Sequence, residues 1–105
     1  MLDELLERAK NLLDCQRPVK VKVRPLKTSI ARVSFRYGTI TLDPSVLELG
    51  DEEVLYVLVH ELAHLKAGTT YHSSAFWMEV KRAFPEKKAR ELEDNIMVKL
   101  QGGRT

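Results

Sequence analysis

Between Gly50 and Gly68 the chain contains no glycine or proline, and Leu55, Leu58, Val59, Leu62 and Leu65 recur through it at helical spacing. Such a segment folds as a helix with a broad apolar face. In a chain of 105 residues, much of whatever else is built must serve to cover that face. The length admits one domain, because a second core would bury too little surface to offset its own conformational entropy. We therefore expect residues 1–105 to form a single domain around this helix. Asp51 is its expected N-cap, Glu52 to Ala67 its body, and Gly68 the left-handed residue that stops it.

The flanking segments supply the cover. Leu2, Leu5, Leu6, Ala9, Leu12 and Leu13 form a helical stripe that ends before Pro18. From Val19 to Arg24 valines alternate strictly with cations, the period of a half-buried strand. Ile30 to Tyr37 reads as a second strand, burying Ala31, Val33 and Phe35, and Tyr37-Gly38 turns it into a third, Thr39 to Leu42. The expected arrangement is an antiparallel meander. Asp43-Pro44 predicts a capped helical turn reaching toward Gly50. Ser73 or Ser74 caps a helix running through Phe84, and Pro85 separates it from a last amphipathic helix carrying Ala89, Leu92, Ile96 and Leu100. Gln101 to Thr105 reads as a mobile tail. The fold class is α+β: a small three-stranded sheet, an N-terminal helix, the central helix and two C-terminal helices.

The central helix carries the chemistry. His60-Glu61-Leu62-Ala63-His64 is an H-E-x-x-H motif, and its histidines lie one turn apart, about 40° from each other around the axis. Both imidazoles therefore reach one ion. Glu61 is offset by about 100° from His60, too far round for a natural third ligand and well placed to take a proton from water. All three histidines of the chain fall between His60 and His72, and the turn-forming stretch Gly68 to Tyr71 returns His72 over the end of the helix as third ligand. Glu79 and Glu86, on the later helices, are the competing candidates for that place.

His60 to Lys66, followed by His72-Ser73 and Phe76-Trp77, resembles the signature H-E-L-x-H-L-K … H-S-x-x-F-W of small zincin domains, including the minigluzincins and the SprT-like and WLM-like proteases. Length and element order resemble the minigluzincins most. The resemblance implies a gluzincin-type catalytic domain with histidine as third ligand, similar to the catalytic domains of HtpX-like and BlaR-like membrane peptidases. It also implies an extended substrate paired along Thr39 to Leu42, and latency imposed by residues 86–105, in cis or through self-association of the last helix. The loop before His72 is longer than in some relatives.

The expected function is a metallopeptidase that hydrolyses peptide bonds with zinc-activated water, with His60, His64 and His72 on the metal and Glu61 as general base. A non-catalytic zinc-stabilised regulatory module and a SprT-like nucleic-acid-associated protease are the alternatives. The cations Lys20, Lys22, Arg24, Arg32 and Arg36 read as a solvated strand face, since neither the net charge of +2 nor any interleaved aromatics point to nucleic acid. Phe76 and Trp77 read as core, and no role separates Tyr37, Tyr56 and Tyr71. Cys15 has no partner for a disulfide, the N-terminus is acidic where a signal peptide would be basic, and the longest apolar run, Val54 to Val59, is far short of a span. Cytoplasmic placement is expected, and the scarcity of Asn and Gln beside many Lys, Arg and Glu suggests a thermophile.

Overall fold

The computed structural model describes residues 1–102. Its elements follow in the order α1 (Leu2–Leu12), β1 (Lys20–Val23), β2 (Ala31–Ser34), β3 (Thr39–Leu42), a short 3-10 helix (Pro44–Glu48), α2 (Asp51–Ala67), α3 (Ser74–Ala83) and α4 (Glu86–Gly102). α2 is buried along most of its length, and Leu58, Val59, Leu62 and Ala63 are wholly inaccessible. α1, α3, α4 and β2 all pack against it. The valine and leucine side chains that make its surface apolar are therefore satisfied from every side except the one carrying the histidines.

Local chemistry sets the boundaries. Asp43 caps the 3-10 helix, Oδ2 accepting from the Ser45 N–H at 3.1 Å while Oδ1 accepts from the Leu26 N–H at 2.8 Å. The N-cap of α2 is Gly50, not the expected Asp51. Asp51 is the first helical residue, because the Glu53 carboxylate accepts the Gly50 N–H at 2.9 Å and closes the turn one residue earlier. Gly68 ends α2 at φ 68 and ψ 28, as its position predicted. Ser73 caps α3, and Phe84 is the C-cap of that helix. Gln101 and Gly102, expected in a mobile tail, continue α4; the rest of that expected tail, residues 103–105, lies outside the described residues.

The sheet corrects the expected meander. β2 and β3 form the anticipated antiparallel pair, but β1 pairs with β3 in parallel, giving the order β1-β3-β2. Alternation of side chains assigns a strand's faces and says nothing about its neighbour, and the seven residues between Val23 and Ala31, including Pro25, are long enough to carry the chain across the sheet. β2 stops at Ser34 instead of Tyr37 because residues 35–38 form the turn, closed by the Gly38 N–H donating to Ser34 O at 2.9 Å. Gly38 has φ 62, and a side chain there would meet Pro18 O at 2.9 Å, so both backbone and space call for glycine. The central strand is therefore β3, with Ile40 and Leu42 fully buried, and both of its edges are taken. It offers no edge to a substrate, contrary to the expectation for Thr39 to Leu42. The edge beside α2 belongs to β2.

Candidate metal centre

His60 and His64 project from one side of α2 with ring centroids 5.0 Å apart. The loop after Gly68 folds back over the helix end: the Gly68 and Thr69 N–H groups both donate to His64 O, at 2.9 and 3.3 Å, and the Tyr71 N–H donates to Thr69 Oγ1 at 3.1 Å. This reversal carries His72 to the other two histidines. His72 Nε2 lies 3.3 Å from His60 Nε2, and one ring nitrogen from each of the three histidines lies within 4.8 Å of the others. Two nitrogens bound tetrahedrally to zinc at about 2.0–2.1 Å would be separated by about 3.3–3.4 Å, so the His60–His72 spacing and the donor type fit such an ion.

Proton placement fits it too. His64 Nδ1 lies 2.9 Å from Thr69 O, and a carbonyl only accepts, so Nδ1 carries the hydrogen and Nε2 keeps its lone pair. Burial, followed by the charges of His64 and His72, pushes His60 down to about 3. Burial also lowers His64, with the Thr69 carbonyl opposing the shift and His72 adding to it. Both rings are neutral at neutral pH, the form that ligates. Phe76, fully buried, backs the cluster with ring centroids 4.9, 4.4 and 4.8 Å from His60, His64 and His72. It is core, as expected, and also the wall against which the imidazoles are held.

Glu61 is 8% exposed, and burial alone pushes its carboxyl up to about 7. Together with His60 and His72 it borders a cavity of about 350 Å³ that runs between the start of β2 and α4, where Ala31, Tyr56 and Met97 contribute to the walls. A carboxyl poised near neutrality beside the neutral imidazoles of His60 and His64 can accept and return a proton.

The two competing carboxylates go elsewhere. Glu79 pairs with Lys66 at 3.4 Å and Arg82 at 3.3 Å, and Glu86 pairs with Arg90 at 2.8 Å. Tyr37 and Tyr71 are 71% and 78% exposed, whereas Tyr56 is buried one turn before His60 and donates to Glu93 of α4. Tyr56 and Glu93 border the same cavity as His60 and Glu61. The position of Tyr56 four residues before His60 placed it on the histidine face of the helix, but nothing in the sequence pairs it with a residue 37 positions later.

Residues 1–94 match the family described as YgjP-like, metallopeptidase domain. The fold superposes on the crystal structure of the metallopeptidase zymogen of Pyrococcus abyssi abylysin with a TM-score of 0.93 and 66% identity, covering 96% of each chain. It superposes on that of Methanocaldococcus jannaschii jannalysin with a TM-score of 0.85 and 27% identity, covering 94% of this chain and 89% of the other. The uncharacterized protein MJ1213 of Methanocaldococcus jannaschii is 42% identical over 80 residues, 75% of this chain and 72% of its own.

Proposed function

The chain belongs to the YgjP-like metallopeptidase family, and from that premise we propose that it is a zinc peptidase whose metal is held by His60, His64 and His72, with Glu61 as general base. The chain is a metallopeptidase with an α+β minigluzincin-type fold; the zinc identity, the ligand set and the role of Glu61 are our reading. The observation that carries it is the convergence of three imidazole nitrogens within 4.8 Å beside a buried carboxyl. When bound, zinc would supply the Lewis acidity that polarises the scissile carbonyl and acidifies water. Glu61 removes a proton from the attacking water and delivers it to the leaving amine, so the peptide bond is replaced by a carboxylate and an amine. The carbonyl of Thr69 fixes the His64 tautomer, and Phe76 excludes water from behind the rings.

An extended peptide reaches the site along β2, the sheet edge that borders the cavity. Asp43 N–H donates to Ile30 O, so the alternation of the antiparallel ladder turns the backbone groups of Ala31 and Val33 to the free side, where an added strand pairs with them.

The second half of the proposal is latency within one domain spanning residues 1–105. Glu93, Ile96 and Met97 of α4 border the cavity that a substrate must enter, and both solved relatives, abylysin and jannalysin, are metallopeptidase zymogens. Residues 86–105 would hold the full-length chain at low activity. We place the enzyme in the cytoplasm; no described helix is long and apolar enough to cross a membrane. The test is zinc content measured beside cleavage of a quenched fluorescent peptide, before and after chelation, in the full chain and in chains trimmed from the C-terminus. Zinc bound without cleavage by any of them would favour a metal-stabilised binding module instead.

A further inference from the structure

The outer face of the sheet is a charged surface that the catalytic cluster does not use. From Arg17 to Leu42 the chain has seven Lys and Arg and no Asp or Glu; with a net charge of +2 overall, the rest of the chain carries −5. Sheet register lines these cations up. Arg32 of β2 stands level with Thr41 of β3 and Lys22 of β1, and the next row runs Ser34, Thr39, Lys20. Together they line a concavity of about 530 Å³ on the side away from α2. The ion pairs of the described residues join helical side chains, and Lys20, Lys22 and Arg32 take part in none of them.

β2 joins this face to the catalytic groove. A peptide added to its free edge extends the sheet by one strand, so its side chains alternate between the two faces as those of β2 do. Residues on the Ala31 side point toward the cavity, where Ile30 and Val57 offer apolar walls. The residue opposite Arg32 emerges on the basic face, with its Cβ about 4.5–5.5 Å from that of Arg32. We propose that Arg32, with Lys22 two strands behind it, selects substrates by charge, so that the enzyme prefers extended segments in which acidic residues alternate with apolar ones. This rests on the peptidase reading and names its substrate class. A single-stranded nucleic acid is the weaker occupant, because the exposed aromatic at this rim, Tyr37, already has the Arg36 guanidinium 5.3 Å from its ring centroid.

The experiment uses three fluorescent peptides identical except for Glu, Gln or Lys at two alternate positions, with zinc-loaded protein both full-length and trimmed from the C-terminus. Binding is read by anisotropy on the Glu61→Gln protein and cleavage on the parent. Affinity should fall in the order Glu, Gln, Lys by about 2- to 5-fold per step, and the steps should shrink at high salt. Adding Arg32→Glu should reverse the order, whereas Arg32→Lys should preserve it. Equal or absent binding of the three peptides, or an order unchanged by Arg32→Glu, overturns the proposal. Displacement of the Glu peptide by a single-stranded oligonucleotide at concentrations far below those of the peptide itself also overturns it, assigning the face to nucleic acid. If the Gln peptide is cleaved while the charge order is missing, charge selection fails and the peptidase reading stands. A charge order without cleavage by the full-length or the trimmed chains supports charge selection and sinks the peptidase reading.

Discussion

The Tyr56 hydroxyl, one turn before His60 on α2, donates to the Glu93 carboxylate of α4 across 2.5 Å. The bond ties the last helix to the helix of the H-E-x-x-H motif at the rim of the cavity that His60 and Glu61 border. Burial, reinforced by Glu93, raises the Tyr56 phenol far above its ordinary value, so it stays a donor throughout the neutral range. Lys99 and Glu53, 2.8 Å apart, make a second tie between the same helices.

Tyr56→Phe removes one tie and should release α4 more often. Stability should fall by about 1.5–3 kcal/mol, the usual range for a hydrogen bond to a charged group, while cleavage by the full-length chain should rise. Denaturant unfolding and a peptide cleavage assay read the two effects. Lost stability with unchanged or lower cleavage would mean that α4 does not restrain the site.

The Glu53–Lys99 tie should weaken in acid. The Lys99 ammonium holds the Glu53 carboxyl below its ordinary value of 4.5, outweighing the effect of burial. Because the folded-state pKa is the depressed one, its stabilisation is complete above about 4.5 and is lost as pH falls through the folded-state value. The stability difference between the parent and Glu53→Gln should therefore be constant at neutral pH and shrink below 4.5. A difference that grows on acidification would contradict the assignment.

Glu61→Gln keeps the shape of the side chain and removes the proton acceptor. Zinc content should be unchanged and kcat should drop by about 10²–10⁴-fold, the range of general-base catalysis. Cleavage at the parental rate would take Glu61 out of the mechanism.

His72→Ala should weaken zinc binding by more than the roughly 10–100-fold typical of a merely supporting residue. Glu79→Ala should leave zinc in place and cost stability only, because its carboxylate is occupied by Lys66 and Arg82. Competition with a chromogenic chelator distinguishes them, and release of zinc by Glu79→Ala would mean that the third ligand is misassigned.

What the sequence determined by itself is what depends on near neighbours along the chain. The 3.6-residue period places His60 and His64 on one side of an uninterrupted helix, Gly68 stops it, and Asp43-Pro44 starts the short helix before it; each follows from local backbone geometry and capping. The approach of His72 to the same histidines was legible for the same reason, because a short turn links it to α2. The neighbours of the strands were not legible. Alternation in Val19 to Arg24 and in Ile30 to Tyr37 fixes faces, but pairing is decided by which edges remain once all segments pack on α2. That competition put β3 in the centre and left β2 beside the site. Likewise, the apolar stripe of α4 predicted burial, yet only the packing of α4 across α2 brings Glu93 to Tyr56 and Met97 to the cavity. Contacts between residues distant in sequence depend on the docking of whole elements, which no local pattern encodes.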